Sequence, residues 1–249
     1  LKYNETLNGS IIKFMDLSVQ NNLINALSLE ENDLVLLSGG TYDIVKQSLG
    51  ALRIKLGNDL GLINKNEYKM SIRNFFGHLN TVNKHRFKVF CLCCRVGIPV
   101  QGLLHDLSKY MPVEFLEGVK YYQGTYSPIM NCKRKVGYSL AWIHHINCNK
   151  HHYEYWYDYE APNPTPLIPF KYFLEMVCDS LSAGMTYEGK NWTKEYQLSY
   201  WNRTKDRARM DERMKKLLER VYTEISVDGI NKVLKRKHLK ELYIEYTRE

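Results

Sequence analysis

The chain has 249 residues, 44% of them hydrophobic and 25% charged, with 35 Lys/Arg against 27 Asp/Glu and a formal net charge of +8. That balance supports a sizeable buried core and excludes a disordered or fibrous chain, and no run of about 18 apolar residues marks a membrane span. Six cysteines, at 91, 93, 94, 132, 148 and 178, lack the paired spacing of a structural zinc site and read as reduced core thiols of a cytoplasmic protein.

Residues 1–70 read as a separate, mostly helical extension whose role the sequence does not express. Ile11 to Leu27 and Thr41 to Leu56 carry helical periodicity. Ser38-Gly39-Gly40-Thr41 caps the second segment but lacks the following Lys-Ser/Thr of a nucleotide loop. From 72 to 96 the pattern is helical, with Phe75, His78, Leu79, Val82, Val89, Phe90 and Cys93 near one face. His85 follows His78 by seven residues, close to two turns, so either can face the same neighbour.

Gly97-Ile98-Pro99 breaks the chain, and Pro99 suits the first turn of a helix expected to carry His105-Asp106-Leu107-Ser108-Lys109, with Leu103, Leu104 and Leu107 packed inward. On a helix, consecutive side chains lie about 100° apart, so an imidazole and a carboxylate can converge on one cation from adjacent positions. Lys109 shares their face, where its ammonium can meet an anionic substrate. Glu114 and Glu117 follow on a short helix, where a carboxylate can orient a ligand histidine or position water, a solvated acid being the plainer alternative. Tyr126 to Lys135, with Ser127-Pro128 and the triplet Lys133-Arg134-Lys135, reads as a loop near the mouth of a site.

Seven of the eight histidines lie between positions 78 and 152. Four of them fall within nine residues, at 144, 145, 151 and 152, and a continuing helix would stack 144 on 151 or 145 on 152. An aromatic run from Tyr153 to Tyr159 and a proline-rich connection from Pro162 to Pro169 separate them from the next helix. That helix has apolar residues at 170, 173, 174, 177 and 181 and places Asp179 near a buried face, expensive for a carboxylate unless it is paired, protonated or bound to a cation. From 190 to 249, sixteen Lys/Arg stand against ten Asp/Glu. Met214, Leu217, Leu218, Val221, Tyr222 and Ile225 mark an amphipathic helix whose charged side is solvated. Lys235-Arg236-Lys237-His238 is the one dense basic run, and nucleic-acid contact through it is a secondary expectation.

The segments His78-Leu-Asn-Thr-Val, His105-Asp-Leu-Ser-Lys-Tyr-Met-Pro-Val-Glu-Phe, Ala141-Trp-Ile-His-His-Ile-Asn-Cys-Asn-Lys-His-His-Tyr-Glu and Glu175-Met-Val-Cys-Asp resemble the successive motifs of a family of bacterial and phage proteins of unknown function. The order His78, His105-Asp106, Asp179 resembles the HD-domain metal-dependent phosphohydrolases. His-Asp-Leu-Ser-Lys is also similar to the His-Asp-Ile-Gly-Lys of cyclic-dinucleotide phosphodiesterases in that superfamily, but their Gly-Tyr-Pro signature is missing, which argues against a cyclic-dinucleotide substrate.

The resemblance implies an all-α, HD-like bundle over residues 71–189 with basic amphipathic helices of 190–249 packed on it. It implies one or two divalent ions (Mn, Mg, Co, Fe or Zn) on His78, His105, Asp106, His145, His151 and Asp179. Asp106, Lys109 and His152 become the expected catalytic residues, and Lys109, Asn149, His152 and Glu154 the expected substrate contacts. The implied reaction is hydrolysis of a small phosphorylated substrate by an activated water, with no membrane involvement. An HD-fold diiron oxygenase and a non-catalytic nucleotide- or nucleic-acid-binding protein are the alternatives.

Overall fold

The first described helix, α1 (Ile72–Arg95), begins where the Ser71 hydroxyl accepts a hydrogen bond from the Asn74 amide at 3.0 Å. The computed structural model describes residues 70–248, so the helices expected at 11–27 and 41–56, and the cap at Ser38–Thr41, lie outside the described residues. His78, Val82, His85, Val89 and Cys93 form the buried row of α1 at spacings of three and four. The helix stops at Gly97 (φ +74°), where Ile98 N–H reaches Cys93 O (2.9 Å) and Gly97 N–H reaches Cys94 O (3.2 Å).

Pro99 then opens α2 (Pro99–Leu104), and Gly102 lets it approach α1 so closely that a Cβ there would lie 2.5 Å from Cys93 Cβ. A 3₁₀ turn (Leu107–Tyr110) leads into α3 (Pro112–Lys120), α4 (Pro128–Val136) and α5 (Leu140–Cys148). Another 3₁₀ turn (Tyr153–Trp156) and the proline-rich connection precede α6 (Phe170–Glu188). The chain ends in α7 (Tyr196–Thr204), α8 (Glu212–Asp228), α9 (Ile230–Val233) and α10 (Arg236–Thr247). Among the described residues there is no strand, and the fold is all-α.

Helix α6 packs on α1, α7 and α10, while α8 closes over α7, α9 and α10. Their shared core holds Val89 and Cys93 of α1, Phe173, Leu174, Val177 and Leu181 of α6, and the stripe Met214, Leu217, Leu218, Val221, Tyr222 and Ile225 of α8. Each fully buried side chain of this kind contributes about 1.5–3 kcal/mol, so burial of the stripe, rather than helix propensity, holds the charged α8 in place. On the other side, α3 packs on α5, α4 and α1. That layer carries few large apolar residues inward. It brings the histidines of α5 towards α1 and α6.

Two local expectations are corrected. Leu103, Leu104 and Leu107 are exposed (61%, 57% and 48%). The face of α2 that meets α1 is the one carrying Gly102; Leu103 and Leu104 are turned away from it, and Leu107 lies in the 3₁₀ turn that follows. The stretch expected as a loop at 126–135 folds into α4, with Pro128 at its first position and Gly137 (φ +89°) closing it. Of the basic run at 235–238, Arg236 donates to the carbonyls of Val96 and Gly97 at the end of α1, and His238 pairs with Glu224 at 2.5 Å.

Candidate metal centre

The His105-Asp106 pair sits at a break in the helix, not within it as the spacing argument expected. Helix α2 ends at Leu104, His105 is extended (φ −52°, ψ 131°), and Asp106 adopts the left-handed conformation (φ 54°, ψ 30°). Asp106 is the one non-glycine with positive φ among the described residues. Aspartate tolerates this region better than most residues, and such strain gathers at functional sites. The reversal folds both side chains inward, with His105 Nε2 3.1 Å from Asp106 Oδ2. Lys109, one 3₁₀ turn later, pairs with the same oxygen at 2.6 Å.

Asp106 divides its two oxygens between two sets of donors. Oδ2 faces His105 Nε2 and His85 Nε2 (3.5 Å), and Asp179 Oδ1 completes this set at 3.0 Å from His85 and 3.4 Å from His105. Oδ1 faces His145 Nε2 and His151 Nε2, each at 3.4 Å. His152 adds a further donor atom to this second set. Helix α1 thus supplies His85, α6 supplies Asp179, α5 supplies His145, and the turn after α5 supplies His151 and His152.

The outward nitrogens of three of these rings are held by carboxylates. Glu175 Oε1 accepts from Nδ1 of both His105 (2.8 Å) and His151 (3.1 Å), and Glu114 Oε2 accepts from His145 Nδ1 (2.8 Å). An Nδ1–H engaged in this way leaves the Nε2 lone pair free to face the centre, the arrangement found around metal-ligating histidines. The inner atoms are left over: His85 Nε2, His105 Nε2, His151 Nε2 and both Asp106 oxygens are buried without a hydrogen bond of good geometry. Buried polar atoms without such partners are costly. These lone pairs, drawn from imidazole and carboxylate and converging within 4.8 Å of one another inside each donor set, fit one or two divalent cations.

The charge balance agrees. Burial disfavours ionisation of Asp106, but His105, Lys109 and His145 together hold its carboxyl well below the usual range. Burial is likewise outweighed at Asp179, by His105 and His85, and at Glu175, held at about 2 by His105 and His151. Burial opposes charge on His105 too, yet Asp106, Asp179 and Glu175 raise its pKa well above normal. Burial also opposes charge on Lys109, which Asp106 and Asp179 nevertheless keep protonated. Protons therefore stand in the cluster where a cation would neutralise the same carboxylates, and uptake of that cation would release them.

Of the six residues expected to bind metal, the structure brings together His105, Asp106, His145, His151 and Asp179, and it leaves out His78. That histidine packs instead beside Phe115, Tyr122 and Gly118 (ring centroids 5.2 Å from Phe115), where a Cβ on Gly118 would lie 2.1 Å from its Nε2. His85 takes the place assigned to His78. Both belong to the buried row of α1, but seven residues span roughly 10 Å along the axis, and only the later one is level with Asp179. Glu175, one turn before Asp179 on α6, was not read as functional; its i, i+4 relation to Asp179 was the available signal.

Helix α5 does not continue through the histidines. It ends at Cys148, and a turn, rather than stacking along one helix, brings the His152 ring to 4.7 Å and the His151 ring to 6.2 Å from that of His145. Asn149 makes that turn: its amide donates to His145 O and Ser108 Oγ, both at 2.8 Å, so it braces the donors. His152 is kept neutral, its pKa pushed well below normal by burial and by His151 and His145. Of Lys109 and His152, the lysine is then the cation. Glu154 lies 3.9 Å from His152, its pKa raised by burial and one oxygen without a hydrogen bond.

His78 also has a measurable consequence. Burial, with Lys109 nearby, lowers its pKa to about 4 from an ordinary 6.5, so the unfolded chain binds a proton there before the folded one does. Stability from this group is complete above pH 6.5 and is lost as pH falls towards 4, a contribution on the order of 3 kcal/mol. Denaturant melts of the wild type and of His78→Leu across that window should show the loss in the wild type and a flatter profile in the variant. Parallel profiles would contradict this assignment.

A model for a family of unknown function matches residues 74–224, more than half of the chain and a stretch containing every donor described above. The chain belongs to that family, DUF5662. Curated relatives of this DUF5662 protein include aspartate-tRNA ligases. The aspartate-tRNA(Asp/Asn) ligase of Bacillus subtilis (strain 168) is 47% identical over 57 residues, 23% of this chain and 10% of the ligase. The aspartate-tRNA ligases of Streptococcus pneumoniae (strain Hungary19A-6) and Macrococcus caseolyticus (strain JCSC5402) are each 44% identical over 62 residues, 25% of this chain and 10% of each ligase. The chain thus spans about a tenth of the length of these relatives, and similarity of that extent describes one segment, not aminoacylation. No solved structure matches the DUF5662 chain. Among its described residues, no helix is long and apolar enough to cross a membrane.

Proposed function

We propose that this DUF5662 protein is a metal-dependent phosphohydrolase. One cation position is formed by His85, His105, Asp106 and Asp179, and a second by Asp106, His145 and His151 with His152 beside it. The observation that carries this reading is the division of the Asp106 oxygens between two buried donor sets, in which the outward nitrogens of His105, His145 and His151 are already held by carboxylates. With His85 in the first place, the order of donors along the chain follows that of the HD-domain phosphohydrolases.

Divalent cations held there would polarise a phosphoryl oxygen and lower the pKa of a water molecule. The residues of the chain do the rest. Access favours the side of Lys109 and Asp179, whose side chains keep 24% and 18% exposure while those of His105, Asp106, His145 and His151 are almost fully enclosed. Lys109 can turn its ammonium from Asp106 to an incoming phosphate, and the neutral His152 can hydrogen-bond the substrate or accept a proton. The large cleft of about 580 Å³ is a different feature. It meets His105 and His151 from behind, through Glu175 and Gln101, and is not lined by Asp106, Lys109 or Asp179.

The test is elemental analysis of the purified protein, then assays on p-nitrophenyl phosphate, nucleotides and bis(p-nitrophenyl) phosphate with Mn, Mg, Co, Fe or Zn. Turnover of at least one ester under at least one metal is expected, and none under any would refute the proposal. The donor set of five imidazoles and two carboxylates also suits iron, so bound iron with a dioxygen-dependent spectrum and no esterase activity would redirect the reading to an oxygenase. Lys109→Met is expected to lower kcat about 100-fold with metal content unchanged, because removing one stabilising donor costs that order. Wild-type kcat in this variant would remove Lys109 from the mechanism.

A further inference from the structure

Glu175 touches both donor sets. Its Oε1 accepts from Nδ1 of His105, which belongs to the first set, and from Nδ1 of His151, which belongs to the second. Its Oε2 is held in turn by the Gln101 side-chain amide. The carboxylate is buried (5% exposed) and anchored at both ends between α2 and α6. Glu114 makes a contrast: on the donor rings it reaches only His145, of the second set, while its other oxygen is taken by the peripheral His144 at 2.6 Å.

We infer that Glu175 is a positioning residue common to both cation positions. Holding both Nδ1 protons on one oxygen fixes His105 and His151 in the same tautomer, each with its Nε2 lone pair turned to Asp106. The charge count supports the same role. Two divalent cations bring four positive charges, which Asp106, Asp179, Glu175 and Glu114 together balance, leaving Lys109 as the uncompensated cation for an anionic substrate. Loss of Glu175 should therefore act on both positions, and loss of Glu114 on the second alone.

This inference rests on the two-position reading above, and one titration separates their failures. Protein stripped by chelator is titrated with Mn²⁺ by calorimetry, and the loaded sample is examined by electron paramagnetic resonance. The wild type is expected to take two equivalents and show a spin-coupled pair; uptake of none or one would overturn the two-position reading itself. Given two in the wild type, Glu114→Gln should weaken one equivalent and Glu175→Gln should weaken both, by about 10- to 100-fold, with loss of the coupled signal. A Glu175→Gln protein that binds two ions with wild-type affinity, or loses only one, overturns the shared role. Gln101→Leu provides a second route if Glu175→Gln does not fold. By freeing Oε2 it should weaken both equivalents together, by a factor of about three, and wild-type titration of that variant counts equally against the inference.

Discussion

Replacing Asp106 with alanine is expected to take bound metal from two ions per chain to none and to abolish phosphoester hydrolysis. Asp106 is the one residue common to both donor sets. Its side chain is fully buried, and each oxygen faces two imidazoles at 3.1–3.5 Å. Alanine also has to adopt the left-handed backbone of position 106, at a cost of roughly 1–2 kcal/mol. Asp106→Asn is the cleaner variant, since asparagine tolerates that backbone and keeps the shape while removing the charge. Elemental analysis of both variants after purification from metal-supplemented medium decides the matter. Wild-type metal content in either would show that the centre lies elsewhere.

The second large effect separates two histidines of α1. His85→Ala should remove one of the two ions and lower kcat by at least about 100-fold, because His85 Nε2 faces both Asp179 (3.0 Å) and Asp106 (3.5 Å). His78→Leu should keep both ions and lose stability instead, by about 1–3 kcal/mol for disturbed packing against Phe115 and Tyr122. Metal content and denaturant midpoints measured on the two proteins give opposite patterns under this reading. The reverse result would restore His78 as the ligand.

Much of the architecture was legible before any coordinates. The stripe of α8 and the apolar spacing of α6 predicted two core helices, because a period near 3.6 leaves few other ways to bury such residues. The same logic failed at Leu103 and Leu104, since apolar identity does not say which side of a six-residue helix meets its neighbour, and at Leu107, which lies beyond the end of that helix. It failed again at 126–135, where a proline and basic residues suggested a loop and Pro128 instead began α4. Proline breaks helices internally but is at home in their first turn, and composition does not separate the two cases.

At the centre, the chemistry of the donors was a property of local sequence. The adjacent His105-Asp106, the dense histidines after Trp142 and an aspartate on a core-facing helix named the residue types and the class of ligand. Which of them meet was decided only by tertiary packing. Residues seven apart share a helix face, so periodicity leaves His78 and His85 equivalent until α6 sets Asp179 at one height along α1. Likewise, the turn at Asn149 and the left-handed backbone of Asp106 set the directions of side chains that a continuous helix would have sent elsewhere. Glu175 stood in a motif and one turn before Asp179, but its role followed from neither, because a carboxylate becomes a shared hydrogen-bond acceptor only when two rings from distant segments arrive at the same oxygen.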